Sequence, residues 1–429
     1  MKQFCALFAT LATLLAAPFL IAEEPVLSGT AHESSVTIYG SGTQPPPVGK
    51  ITINTHSYTG YTESFAATFA EFLTNIKAIN DPNAIIGIDS VAPETNRTIP
   101  DTIDLSRLNN AAQNTPYYIG TTSRITLTGP IIPTRAPTGP GYNSLFLTAL
   151  NDGYLNVASN LGSPSSPVPS VVIGQATPPL GATPGTVELS GSNSYDGGTR
   201  VLGGTLHINT SNALGSGTLS LASGATLNLG ASGSIGNSLS ADSGSIISGN
   251  GTFTSLVTIG SGVTLIPGSI GQIAEMHFHG GLVLQAGAIL NIDLAASGAS
   301  DRLCIWDNLT IQGDQNLPIT INLFSANGSG SEESVALFDP QLSQTWIIAY
   351  RPGNASLLIT GFSPDYFSIN ADPLFRQNPD LVGLGTFDIE QINNSLAITF
   401  TPVPEPGSLA LMTLGLAALA FFKKSRRKQ

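Results

Sequence analysis

The amino-acid sequence predicts an all-β protein: a single-stranded parallel β-helix, expected in the usual right-handed sense, with one amphipathic capping helix and a C-terminal transmembrane helix. Three observations carry that expectation. Charged residues make up only 10% of the 429-residue chain, against about 25% in an average soluble domain, while Gly reaches 46, Pro 29 and the hydrophobic fraction 41%. This is the composition of strands and turns, with enough aliphatic surface to bury a long core. Short, similar units follow one another through the middle of the chain, and apolar segments with charged flanks stand at both ends.

The first element is an address. Lys2 precedes an apolar run from Phe4 to Ala17, and Pro18 to Ala22 lead into Glu23 and Glu24. A charged start, an apolar stretch and a small residue before an acidic segment form a secretory signal peptide over residues 1–22. The alternative is a retained membrane anchor, for which the run is short. Cys5 leaves with the signal, so the exported chain keeps one thiol, Cys304, and no internal disulfide is expected.

Residues 23–184 form a β-rich N-terminal region with one internal helix. Over Glu63 to Asn80, Phe65, Phe69, Phe72, Leu73, Ile76 and Ile79 recur at helical spacing, Thr62 can cap the start, and Asp81-Pro82 stops it. A helix there is expected to cover the open N-terminal end of the stack or to sit on an inserted loop; a partner-binding or membrane-active helix is the alternative. A Pro-rich stretch, 163–184, reads as an excursion from the coil.

The body spans 185–402. Thr186-Val187-Glu188-Leu189, Thr205-Leu206-His207-Ile208, Thr218-Leu219-Ser220-Leu221, Ala225-Thr226-Leu227-Asn228-Leu229 and Val263-Thr264-Leu265-Ile266 each place aliphatics two apart with a small or polar residue between. That is the period of a strand with one buried and one wet face. Gly, Ser and Asn separate the units and supply turn conformations. Units this small must complete each other's core, and a parallel β-helix does so by pairing each strand with its equivalent one coil away. Further strands are expected within Phe278 to Leu294, Leu303 to Gln312 and Ile319 to Phe324, with Ser300-Asp301-Arg302-Leu303 as a solvated polar corner. Trp346 to Tyr350, Leu357 to Thr360, Phe367 to Asn370 and Leu396 to Phe400 would close the stack, their aromatics covering its end.

Residues 403–429 are the last element. Pro404-Glu405-Pro406 leads to an apolar stretch, Leu409 to Phe422, and then to Lys423, Lys424, Arg426, Arg427 and Lys428. As a helix, Gly407 to Phe422 would extend roughly 24 Å at ~1.5 Å per residue, enough to span with snorkelling flanks. The basic cluster stays cytoplasmic by the positive-inside rule. Without signal and tail, residues 23–402 hold 10 basic against 27 acidic residues, a net charge of −17. Such a charge disfavours nucleic acid, whose affinity rests on Lys and Arg, and favours solubility.

Two stretches resemble known families. The Pro404-Glu405-Pro406 motif, apolar helix and basic end are similar to the PEP-CTERM sorting signal of Gram-negative bacteria. That resemblance implies transient anchoring in the inner membrane, recognition and cleavage by an exosortase, and delivery to the cell surface, outer membrane or an extracellular matrix. A plain C-terminal anchor is the alternative. From Thr186 to Gly230, Asp196-Gly197-Gly198-Thr199, Gly203-Gly204-Thr205-Leu206 and Ala213-Leu214-Gly215-Ser216-Gly217-Thr218-Leu219 resemble the autotransporter-associated β-strand repeat. Asp196 stands where that repeat more often has Thr. The resemblance implies a β-helical body and no particular chemistry, and the sorting tail takes the place of a translocating β-barrel.

Chemistry is sparse. Polysaccharide lyases and hydrolases on β-helices need paired carboxylates and commonly a basic residue; Asp293, Asp301 and Arg302 are the residues that could converge in that way. Glu275, His277 and His279, two apart on a strand, are weak candidates for metal ligands, with Met276 and Phe278 expected to face the core and these three to face water. His207 is read as an outward polar residue and Cys304 as a surface-strand or core thiol without a His neighbour in sequence. No phosphate loop, dinucleotide fingerprint or serine elbow occurs, and no cofactor is expected. The reading is a surface or matrix β-helix with a structural or adhesive role, its partners an exosortase and exopolysaccharide or other surface proteins. The alternative is a polysaccharide lyase or glycoside hydrolase on the same scaffold.

Overall fold

The computed structural model describes strands at 34–39 and 85–90 and then residues 96–105, 118–133, 144–176, 182–326, 341–371 and 385–403, apart from positions 101, 167, 296 and 354. The signal segment, the helix expected over 63–80 and the tail from 404 onward lie outside these residues. Among the described residues the only helical element assigned a span is a 3-10 turn, Pro364–Tyr366, and no helix is long and apolar enough to cross a membrane.

The strands stack into parallel walls, a solenoid of the β-helix kind. One coil runs Leu219–Leu221, Ala225–Leu229 and Ser234–Ile235; the next repeats it as Leu239–Ala241, Ile246–Gly249 and Thr252–Phe253; a third as Val257–Ile259, Thr264–Pro267 and Glu275–Phe278. Each of these three coils gives one strand to each of three walls. The first wall is an 8-stranded sheet continued by a 4-stranded one, the second an 11-stranded sheet, and the third ends in a 7-stranded sheet.

Aliphatic alternation fixes the register. In the second wall Ile125, Leu155, Val187, Leu206 and Leu227 stand in line, and the column continues through Ile247, Leu265, Leu290, Ile321 and Ile369. All but the last are buried. A one-residue slip of any coil would turn its aliphatic face to water. On the outside of the same wall polar residues bond along the stack: His207 Nδ1 lies 2.8 Å from Asn228 Oδ1, and Asn228 Nδ2 donates to Ser248 Oγ at 2.9 Å. Asn370, Asn322 and Asn291 form a second such ladder, at 3.3 and 2.9 Å.

The two glycine pairs of the repeat have a shared physical reason. Gly198 and Gly204 adopt φ of +86° and +72°, where a side chain is strained. The residue before each lies under the preceding coil: a Cβ on Gly197 would meet Pro169 O at 2.7 Å, and one on Gly203 would meet Gln175 O at 2.7 Å. Each pair turns the chain into a wall while letting adjacent coils touch backbone to backbone.

Two expectations are corrected here. Within the Pro-rich stretch 163–184, Val171–Ile173 is a strand of the first wall, paired in parallel with Leu145–Ala149 and Thr199–Val201; the prolines punctuate its flanks while three β-branched residues make the rung. At the other end Ser395–Pro402 does not add another parallel rung. It pairs antiparallel with Gln344–Tyr350 and with Gly385–Ile392, through a hairpin in which Asn393 and Asn394 have φ of 47° and 60°, as a two-residue primed turn requires. Phe387 packs between Trp346 and Phe400, at 6.1 and 5.1 Å. The first wall begins in kind, with Ser34–Tyr39 antiparallel to Ile85–Ser90.

Leu227→Ala, in the middle of the column, is expected to cost about 2–5 kcal/mol, whereas Asn228→Ala, on its outer face, should cost about 1 kcal/mol. Denaturant unfolding of both variants checks this, and equal losses would contradict the inward column.

Candidate functional site

The residues singled out by the sequence converge on the third wall. Glu275–Phe278 and Arg302–Ile305 run side by side, with Glu275 opposite Arg302, Met276 opposite Leu303, His277 opposite Cys304 and Phe278 opposite Ile305; Tyr350 follows beyond Cys304. Alternation sends Met276, Phe278, Leu303 and Ile305 inward, where Phe278 stacks on Phe253 with ring centroids 5.4 Å apart. Glu275, His277 and His279 share the outer face, as expected.

Glu275 and His279 are already engaged. Glu275 Oε1 receives Arg302 Nη2 at 2.7 Å and the Tyr350 hydroxyl at 2.7 Å. The Arg302 guanidinium lies over the Tyr350 ring, 5.1 Å from its centroid, a cation–π contact. Burial first, then the bond to Glu275, pushes the Tyr350 hydroxyl well above its ordinary pKa. His279 tilts against Trp306 at 5.2 Å. Cys304 lies beneath this layer, and burial raises its pKa, which keeps it a thiol. Among the described residues no group of three or more His, Cys, Asp or Glu is placed to hold a metal ion.

The same three-residue device recurs on the second wall. The Tyr154 hydroxyl donates to Glu188 Oε2 at 2.6 Å, and Arg124 lies 4.9 Å from the Tyr154 ring centroid. Each set ties three neighbouring coils across the outside of the stack. With Arg302 and Glu275 at 46% and 30% exposure, the ion pair itself is worth at most about 1 kcal/mol.

Asp293 and Asp301 depart from expectation. In place of a solvated corner, both are buried, at 1% and 0% exposure, while Arg302 points to the outer face. The structure therefore brings the two acids together and leaves the arginine out. Asp301 Oδ1 accepts the N–H of Ala274 at 2.8 Å and Oδ2 that of Asp293 at 3.0 Å; Asp293 Oδ2 accepts the N–H of Gln272 at 3.1 Å. The corner between the second and third walls explains this arrangement. It is two residues long after Ile246–Gly249 but widens between Thr264–Pro267 and Glu275–Phe278, and again between Ile289–Leu294 and Arg302–Ile305. The widened corners cover one another, and their backbone donors need acceptors. Burial lifts the Asp301 carboxyl to about 8; backbone N–H bonds oppose the rise and the neighbouring Asp293 charge adds to it.

Sequence reasoning missed three features. The Tyr350 hydroxyl joins Glu275 across a chain separation of 75 residues, and no local pattern announces that contact. Exposed Trp306 immediately follows a strand and could have been noticed as an aromatic at a corner. The burial of Asp293 breaks the alternation of Ile289–Leu294, and only the widened neighbouring corner reveals why. The sorting residues Pro404, Glu405 and Pro406 and the basic cluster Lys423, Lys424, Arg426, Arg427 and Lys428 lie outside the described residues.

Comparison with known families locates two matches. Residues 184–208 match the Passenger-associated-transport-repeat, the stretch containing both glycine pairs and two successive strands of the second wall. Residues 402–427 match the PEP-CTERM protein-sorting motif, which implies export and exosortase processing. The first match ends before Gly230, although the coil geometry continues unchanged beyond it. No curated protein matches the chain.

The Asp301 arrangement has a pH consequence. Its folded pKa of about 8 exceeds the ordinary carboxylate value, so its contribution is fully present below about pH 4 and declines as pH rises toward 8, by at most about 1.4 kcal/mol per pH unit. Asp301→Asn removes this slope. Thermal midpoints at pH 5, 7 and 9 should shift in favour of the variant as pH rises; parallel profiles would refute the assignment.

Proposed function

We propose that this chain is an exported, exosortase-processed surface or matrix rod with a structural or adhesive role and no catalytic one. The observation that carries this reading is the disposition of its polar side chains. Along the outer walls they bond to one another from coil to coil, as in the Asn228 and Asn322 ladders and the Glu275–Arg302–Tyr350 set. The acids closest to a catalytic pairing, Asp293 and Asp301, are buried and accept backbone N–H groups, beyond reach of a polymeric substrate.

Transient attachment to the inner membrane, cleavage near Pro404-Glu405-Pro406 and transfer to the surface, outer membrane or matrix of a Gram-negative cell would follow from the sorting motif. Exopolysaccharide or other surface proteins are the partners this placement offers. A rod of net charge −17 over residues 23–402 has little attraction for anionic polymers, so recognition would rest on hydrogen bonding and stacking.

Two measurements test the reading. Mass spectrometry of the surface-exposed protein should find a chain ending near residues 404–406 and lacking Leu409 to Phe422; an intact tail would indicate a plain anchored protein. Incubation with a panel of polysaccharides should leave the number of reducing ends unchanged, whereas depolymerisation would establish the lyase or hydrolase alternative in its place.

A further inference from the structure

The corner from the third wall into the first spans three register positions in three successive coils, Asn308 in the last of them already opening the strand Asn308–Gln312. Phe253, Phe278 and Ile305 stand in register before it, and Val257, Leu282 and Leu309 after it. Its residues therefore stack: Thr254, His279 and Trp306 in one row, Ser255, Gly280 and Asp307 in the next, Leu256, Gly281 and Asn308 in the last. The middle coil carries no side chain at two of its three positions. A Cβ on Gly280 would meet Leu256 N at 2.6 Å, and one on Gly281 would lie 3.1 Å from Asn308 O and 3.4 Å from Leu256 Cδ1. Gly280, half-buried, thus leaves a step between Leu256, 58% exposed, and Trp306, 47% exposed, while Gly281 lies buried beside the Leu256 side chain. His279 is tilted 59° against the indole, and Asp307 and Asn308 are exposed beside it.

From this corner we infer that the step is a binding site for a neutral hexose polymer, with one sugar ring stacked on Trp306. The inference deepens the adhesive reading above and rests on it. Size and charge select the occupant. A stable protein partner needs about 800 Å² on each side, and here one indole and one leucine are the exposed large apolar groups. A hexose ring has an apolar C–H face the size of an indole and a rim of hydroxyls, which the Asp307 carboxylate, the Asn308 amide and the His279 imidazole can meet as acceptors and donors. The Asp307 carboxylate and the acidic rod disfavour uronates and phosphates, which leaves neutral sugars.

The chain contains two tryptophans, and Trp346 is buried at 1%, so exposure-sensitive fluorescence reports Trp306. Full-length protein is titrated with cello-, manno- and galacto-hexaoses and with an oligogalacturonate of the same length. At least one neutral hexaose should shift the emission and protect Trp306 from acrylamide quenching, with the uronate at least tenfold weaker. Trp306→Ala should weaken binding, read by calorimetry, at least tenfold, and Trp306→Phe should restore much of it, both with an unchanged thermal midpoint. Uronate binding as tight as neutral binding, or no response to any neutral hexaose, would overturn the site. Neutral-glycan binding unaffected by Trp306→Ala would also overturn the site while leaving the adhesive reading in place; depolymerisation of the probes by wild type and Trp306→Ala alike would instead remove the non-catalytic reading.

Discussion

The inward aliphatic column is the constraint on which the rest of this structure depends. No coil of the stack has enough residues to bury its own inner face, so Leu206 is covered by Val187 on one side and Leu227 on the other. Each such contact gains only about 0.1–0.2 kcal/mol per atom pair, but the sequence repeats it in every coil. Once the column is in register the backbone ladders follow, because parallel strands with matched inner faces are also matched in their N–H and C=O groups. The glycine pairs at 197–198 and 203–204 serve that register by removing the Cβ atoms that would push neighbouring coils apart.

The column leaves the corners free to vary, and the variation decides where chemistry is found. Corners kept in constant register place His279 and Trp306 one above the other on the surface. Corners that widen, as between Pro267 and Glu275 or Leu294 and Arg302, fold over each other and bury polar backbone. Asp301 is the acceptor that makes one such fold tolerable, at the cost of a carboxyl group that ionises only in alkaline conditions. Walls and corners thus answer to different physics: apolar burial in the first, local hydrogen-bond satisfaction in the second.

The contrast also explains which features were legible beforehand. Alternation in Thr205-Leu206-His207-Ile208 or Ala225-Thr226-Leu227-Asn228-Leu229 reports a strand and its buried face directly, and similar units in series report the stack. The outward placement of Glu275, His277 and His279 follows from the same period. Strand direction has no local signature, so the reversal at Ser395–Pro402 was hidden, although Asn393-Asn394 between two alternating runs is a hairpin signal that could have been read. Val171–Ile173 is too short to show a period. The burial of Asp293 and Asp301 depends on a corner from the preceding coil, which the residues around them do not encode.

The reversed strand at each end, and the way the last one leaves the body, bear on how far the molecule reaches. A reversed strand ends the first wall on one side and the third wall on the other and removes a matched parallel edge there, while the second wall ends in the parallel strands Arg97–Ile99 and Phe367–Ala371. Eleven strands in the second wall, at about 4.8 Å per step, make a body roughly 50 Å long. Because Ser395–Pro402 belongs to the terminal rungs of the third wall and leads straight into the sorting motif, a tether beyond Pro402 would grip the body at its last coil. The first coil would then be the distal tip, and the distance between cell and tip would be counted in coils.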